Sequence, residues 1–295
     1  MNNDNFTTNI SSINLLSESQ GTHLQSTDVT LVTAFFDIGS FQKGKSQIYT
    51  PSRYSEWMAI FKYIENPLYV YVDKEEYGNI FRKIREEKFL NRTKIIVLNR
   101  KKLWSFGLIQ NISAIFSEPK YPKFYPNTVL AEYSCAMHAK YEVLQKSITD
   151  NAFNTKYIAW ADVGYYRDLL KKPPVHEFKV HLPPDFKSTK VSYNQVNSPM
   201  HRTLNQIIRN NEVWVGGGFF IADNNVMSKW VEDYMFYTER FIELGKISTD
   251  QQVLYAMAQP FIHKKIGKRR VGVQAYQGND PSQWLYLGYL CIKAR

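Results

Sequence analysis

Nearly unbroken apolar runs alternate with amphipathic stretches through the first hundred residues, and that alternation restricts the chain to few architectures. Val29-Thr30-Leu31-Val32-Thr33-Ala34-Phe35-Phe36 is β-branched and aromatic, the pattern of a strand buried on both faces. A polar loop with Gly39 and Gly44 follows. Thr50-Pro51 then offers a helix start, with Thr as the cap and Pro at the first helical position. Tyr54, Trp57, Met58, Phe61 and Ile64 recur at three-and-four spacing, and Asn66-Pro67 ends the run. Residues 68–72 predict a second buried strand, 74–89 a helix and 94–98 a third strand. Such repetition builds a mostly parallel central sheet flanked by helices, an α/β fold whose ligands bind at the carboxyl ends of the strands.

Further on, the pattern predicts a long helix over 127–148, a strand over 157–161 and a proline-rich surface loop containing Pro173-Pro174 and Pro183-Pro184. A strand carrying three glycines is expected over 213–222, with helices over 225–244 and 249–258. Residues 261–295 read as short strands and loops. There is no internal repeat. Residues 1–27, rich in Asn, Ser, Thr and Gln, read as a disordered N-terminal tail, which leaves 28–295 as one domain.

The 295 residues include 20 Tyr, 18 Phe and 6 Trp, far more aromatic content than a disordered chain carries. No apolar run reaches the ~18–20 residues of a membrane helix, and no basic-then-apolar leader opens the chain. Two cysteines, Cys135 and Cys291, cannot form a disulfide framework, so a reducing, cytoplasmic setting is expected. The Asn-x-Ser/Thr triplets, such as Asn91-Arg92-Thr93, then read as chance. The net charge of +10 is dispersed in small groups, among them Arg100-Lys101-Lys102 and Lys264-Lys265. That distribution suits a solvated surface or an anionic small ligand better than nucleic acid.

Five segments could carry chemistry. GSFQKGKS at 39–46 fits the phosphate-loop spelling, with Lys45 and Ser46 as its working residues. A phosphate loop requires a helix to open at Gly44-Lys45, however, and Pro51 would fall inside that helix. The strand ending at Asp162 delivers one carboxylate beside Gly164, which would let the backbone approach a ligand. It suits a cation, a sugar hydroxyl or a simple turn cap. Gly216, Gly217 and Gly218 weaken the strand that holds them. Either a sugar stacked near Trp214 comes close there, or the strand is bulged. Asp250 and Gln251 open a helix, as dipole compensation or aimed at a hydroxyl. His263 is a candidate metal ligand, although a lone histidine is more often structural. His138 and Lys140 are two apart on one helix, so only one easily faces a site. Cys135 reads as a small buried hydrophobe.

Several of these pieces together resemble the bacterial HtrL/YibB family, for which glycosyl transfer is the expected activity. The resemblance rests on Val32-Thr33-Ala34-Phe35-Phe36-Asp37-Ile38-Gly39, Arg53-Tyr54 with Trp57, WADVGYYR at 160–167, and the glycine-rich strand followed by Asp250-Gln251. It spans residues 28–258. It implies a GT-A-like, Rossmann-like fold and a nucleotide-sugar enzyme. On that resemblance Thr33, Ala34 and Phe35 would line the nucleotide pocket, and Arg53 would meet a phosphate or ribose. Asp162 would stand in the place of an Asp-x-Asp motif that holds Mn²⁺ or Mg²⁺. Here Gly164 replaces the second Asp, so Arg53 or Lys140 would share in neutralising the diphosphate. The expected partners are a UDP- or GDP-sugar and a glycan acceptor whose hydroxyl Asp250 orients or deprotonates. A phosphate-loop kinase and a non-catalytic carbohydrate-binding protein are the alternatives.

Overall fold

Strand β1 (Ser26–Phe35) forms the spine of a seven-stranded sheet, and its alternate side chains feed two cores. Val29, Leu31 and Phe35 enter one, while Val32 and Phe36 enter the other. This is why the run is apolar or β-branched at every position. The computed structural model describes residues 26–267, 269–278 and 282–293. The tail expected over 1–27 lies outside the described residues except at Ser26 and Thr27, which already belong to β1.

After β1 come a hairpin, β2 (Phe41–Lys43) and β3 (Gln47–Tyr49), then α1 (Pro51–Met58), β4 (Leu68–Val72), α2 (Glu75–Arg85) and β5 (Thr93–Val97). Helices α3 (Trp104–Gly107), α4 (Ile109–Ser117) and α5 (Ala131–Asp150) lead to β6 (Thr155–Ala161) and β7 (Lys190–Gln195). The chain continues through α6 (Leu204–Arg209), β8 (Val215–Asp223), α7 (Asn224–Glu243), α8 (Asp250–Met257), α9 (Pro260–Ile266), β9 (Gly272–Tyr276) and α10 (Tyr286–Ile292).

The sheet order is β5-β4-β1-β6-β8-β7-β9. Only β8 runs against its neighbours, so the sheet is mostly parallel and Rossmann-like. The chain steps outward from β1 to β4 and β5, then returns to place β6 on the other side of β1. The order therefore reverses between β1 and β6, and the carboxyl ends of those two strands flank a crevice. Helices α5, α7 and α8 cover one face of the sheet, and α1, α2 and α10 cover the other. Cys135 and Cys291 are both buried, one in each core. Among the described residues no helix is long and apolar enough to cross a membrane.

One alternative falls and two expectations need correction. The segment spelled like a phosphate loop is the β2–β3 hairpin. No helix follows Ser46, and α1 begins at Pro51, where the Thr50 side chain accepts from Arg53 N. The proline-rich stretch is tied down in its middle, because buried Asn66 donates to Val180 O and accepts from Val180 N. The C-terminal part holds two helices, α9 and α10, as well as a strand.

Candidate active site

The reversal of β8 brings three separated segments together. Ala161 pairs with Phe219 across the β6–β8 ladder, and Asp162 N donates to Gly218 O at 2.8 Å. The glycine-rich start of β8 thus lies against the carboxyl end of β6. From behind, α5 presents Lys140, and the first turn of α8 presents Asp250.

Lys140 is the hub. Its Nζ lies 3.0 Å from Asp162 Oδ1, 3.1 Å from Asp250 Oδ2 and 2.9 Å from Gly217 O. An ammonium has three protons, and these three acceptors use them all. The Lys140 and Asp250 side chains are 3% and 2% exposed, whereas that of Asp162 is 40% exposed. Burial works against the Lys140 ammonium, but the two carboxylates outweigh it and hold its pKa above that of an ordinary lysine. Burial lifts the Asp250 pKa. Lys140 opposes that rise and Asp162 adds to it. Trp160 Nε1 also donates to Asp162 Oδ1, at 2.7 Å. Both donors fall on one oxygen, so Asp162 Oδ2 is left to face the cleft. His138, two residues before Lys140, turns the other way and bonds Tyr234 Oη at 2.6 Å.

The glycines serve this cluster. A β-carbon on Gly217 would collide with the Asp250 carboxylate. One on Gly218 would lie 3.1 Å from Tyr165 and 3.5 Å from Asp162 Oδ2, and one on Gly164 would overlap the Trp57 ring. The close approach that the glycine-rich strand predicted is therefore made by Asp250, Asp162 and aromatic rings of the protein itself. Trp214 is buried and lines no part of the cleft, so the expected sugar stacked on it is not supported.

In front of Asp162 two cavities join. The inner one has Ala34, Phe35 and Phe36 along one wall, from the end of β1. The outer one, about 430 Å³, reaches Arg167, Gln251 and Trp284. That volume suits a small-molecule ligand. Lys43, Lys140, Asp162 and Gly164 line both. Below the inner cavity a charged knot holds the strand ends. Asp37 Oδ2 accepts from Lys74 at 2.5 Å and Tyr77 at 2.8 Å, while Arg100 donates to Asp73 at 2.6 Å and to Asp37 O.

Of the residues singled out in the sequence, Ala34, Phe35, Lys140, Asp162, Gly164, Asp250 and Gln251 are brought together along these cavities. Thr33 is not among them, because its side chain is fully buried in the sheet. Arg53 is not either. It lies over the Tyr49 and Trp57 rings on the outside of the cleft wall, 4.6 and 5.3 Å from their centroids. Besides Lys140, the cations of the described residues that line the cleft are Lys43, on the hairpin, and Arg167, which spends one N–H on Gly164 O and stacks 5.0 Å above Trp57. Arg167 ends the WADVGYYR segment and Lys43 lies inside the phosphate-loop spelling, and nothing local in the sequence marks either as a cleft residue. His263 is structural: its Nε2 meets Met257 O at 2.7 Å, away from both cavities.

These residues do not fit a divalent cation. The point between Asp162 and Asp250 that a metal would bridge is taken by the Lys140 ammonium. Among the described residues no group of three or more His, Cys, Asp or Glu side chains could hold a metal ion. The protein's own fixed cation stands there instead.

Residues 27–263 match the family model described as "Bacterial protein of unknown function (HtrL_YibB)". A search of curated proteins finds no match.

Proposed function

The chain belongs to the HtrL/YibB family, and from that premise and the geometry of its cleft we propose that it is a glycosyltransferase, moving a sugar from a nucleoside-diphosphate-sugar to a hydroxyl of a glycan acceptor. One observation carries the reading. Asp162 presents an Oδ2 that no hydrogen-bond donor of the described residues meets, at the switch point of a mostly parallel sheet, with Lys43 and Arg167 lining the same cleft. Switch-point crevices are where such sheets take nucleotides.

The nucleotide lies along the inner cavity against Ala34 and Phe35, and its diphosphate reaches Lys43 and Arg167. In the transfer step the acceptor oxygen forms a bond to the anomeric carbon. The bond from that carbon to the diphosphate oxygen breaks, and its electron pair leaves on the nucleoside diphosphate. The hydroxyl proton passes to Asp162 Oδ2. Lys43 and Arg167 offset the charge that develops on the leaving group. Lys140 has no proton to spare for a phosphate. Its work is to fix Asp162 Oδ1, so that Oδ2 is aimed at the reacting centre. Asp250, the residue first expected to meet the acceptor, is too deeply buried and acts by anchoring Lys140. Gln251 stays on the cleft wall, where its amide can meet a hydroxyl.

The phosphate-loop alternative loses its support because 39–46 is a hairpin with no helix to receive phosphates. A non-catalytic carbohydrate binder shares the cleft, and turnover separates it from a transferase. The test is a thermal-shift screen of UDP, GDP and their sugars, followed by assay of donor hydrolysis. We expect one nucleotide to stabilise the protein and its sugar conjugate to be cleaved slowly by water. Binding without cleavage in the presence of diverse saccharides would leave a binder, and stabilisation by ATP alone would return the kinase reading.

A further inference from the structure

We propose that the outer cavity is a saccharide-binding ledge built on Trp284, which receives the acceptor through the apolar face of a pyranose ring; its assignment to the acceptor rests on the transferase reading above. Large apolar side chains such as Ile48, Tyr125, Met200 and Phe261 are exposed elsewhere on the surface. Among those of the described residues, Trp284 is the one that lines the cleft, and the residue is 43% exposed.

The other aromatics at the cleft mouth are already covered. Tyr49 carries Arg53 and Lys43 over its ring, and Trp57 carries Arg53 and Arg167. No ring or cation of the described residues packs over Trp284. An indole left uncovered in a cavity offers a flat apolar platform. The C–H face of a pyranose matches such a platform, and its hydroxyl rim needs polar partners. Gln251, Asp168 and Arg167 line the same cavity and supply them.

The platform is held in place rather than loosely attached. Asn194 Nδ2, on β7, donates to Gln283 O at 2.8 Å, and Leu285 N donates to Ser282 O at 2.9 Å. Gly216 makes the first of these bonds possible, since a β-carbon there would lie 2.7 Å from Asn194 Nδ2 and 3.4 Å from Trp284 Cε3. The first glycine of the weakened strand therefore positions the ledge through Asn194 and Gln283, as the second and third make room for the carboxylates.

The test is saturation-transfer NMR with methyl α-glucoside, methyl α-rhamnoside, lactose and N,N′-diacetylchitobiose at millimolar concentration. It compares the wild type with Trp284→Ala, Trp284→Phe, Gly216→Ala and the surface control Phe261→Ala. UDP and GDP binding is followed in the same samples. We expect transfer to the ring C–H protons of at least one saccharide in the wild type and in Phe261→Ala. The signal should fall at least fivefold in Trp284→Ala, partly return in Trp284→Phe and weaken in Gly216→Ala. Absence of transfer from the wild type to any of the four saccharides, or an unchanged signal in Trp284→Ala, overturns the ledge. If nucleotides bind while saccharides do not, the ledge alone fails. If saccharides bind at Trp284 while no nucleotide does, the transferase reading fails and the ledge stands as a binder's site.

Discussion

A β-carbon on Gly217 would lie well inside van der Waals contact of Asp250 Oδ2, with Asp250 Cγ 3.0 Å away. The carboxylate is packed directly against the backbone of β8, and Lys140 bonds both Asp250 and Gly217 O. Gly217→Ala must push Asp250 off the strand or bend the strand itself. We expect a loss of about 1–3 kcal/mol, the usual cost of overpacking a filled interior. Urea unfolding checks it, and a midpoint equal to that of the wild type would show that the helix carrying Asp250 yields freely.

Removing the hub charge should cost more. Lys140→Met keeps the stem volume but leaves Asp250 buried beside Asp162 with no cation between them. Breaking a buried pair from one side typically costs about 3–5 kcal/mol. The double variant Lys140→Met/Asp250→Asn removes the orphaned charge and should recover part of that loss. Additive losses in the double variant would mean that the two side chains are not energetically coupled.

Asp162→Asn separates chemistry from folding. The asparagine oxygen can still accept from Trp160 Nε1 and Lys140, and the side chain is partly exposed, so the melting temperature should move little. The charge on Oδ2 disappears, and with it the proton acceptor. Donor turnover should fall by a factor of ~10²–10⁴, the range for losing a general base. Turnover within a factor of two of the wild type would take Asp162 out of the mechanism.

Much of the fold was legible because fully apolar runs announce buried strands. β4 matches the predicted 68–72, and Thr50-Pro51 starts α1 as its cap chemistry requires. Strand β7 escaped because its pattern, Lys190-Val191-Ser192-Tyr193-Asn194-Gln195, is mostly polar, yet Ser192 and Asn194 are buried against neighbouring strands. The site was legible in its residues but not in its wiring. Asp162, Asp250 and Lys140 each stood out, but nothing local showed that β8 runs backwards and so joins them. Both readings of the three glycines, a close approach and a bulge, describe the strand, since the β7–β8 register shifts between Tyr193 and Asn194. What approaches are the protein's own side chains, because a missing Cβ records proximity and not the identity of the neighbour. Arg53 was misplaced for a similar reason. A helix face specifies direction only when the neighbouring hairpin is known, and Tyr49 of that hairpin draws Arg53 outward.

The hairpin separates two lysines that lie two residues apart. Lys43 lines both cavities, whereas Lys45 sits in the β2–β3 turn outside them. Lys43→Ala and Arg167→Ala should each weaken nucleoside-diphosphate binding about tenfold, equivalent to about 1.4 kcal/mol. Lys45→Ala should leave it unchanged. Chelation by EDTA should also leave it unchanged, because Lys140 fills the place between the carboxylates. Isothermal titration with UDP or GDP, with and without EDTA, decides all of these. Strong dependence on Mn²⁺ would show that Lys140 gives way to a metal.

His138 gives the protein a predictable weakness to acid. It is fully buried on α5, with Nδ1 bonded to Tyr234 Oη and Nε2 3.3 Å from Ser134 Oγ. Burial pushes its pKa down to about 3. The backbone at Ser248 resists that shift, and the nearby Lys140 charge adds to it. The folded imidazole therefore stays neutral across a range where the unfolded one, with its ordinary value of 6.5, binds a proton. Below pH 6.5 the unfolded state carries the extra proton, so stability falls as pH falls, until the folded group also titrates near 3. The slope from this one residue approaches about 1.4 kcal/mol per pH unit within that window. His138→Asn, whose amide can still meet Tyr234, has nothing to protonate. Its stability at pH 7 should be lower than that of the wild type, but its decline between pH 6.5 and 4 should be shallower by that amount. Urea midpoints at several pH values measure the difference, and parallel curves for the two proteins would mean that the folded imidazole takes up its proton as readily as the unfolded one.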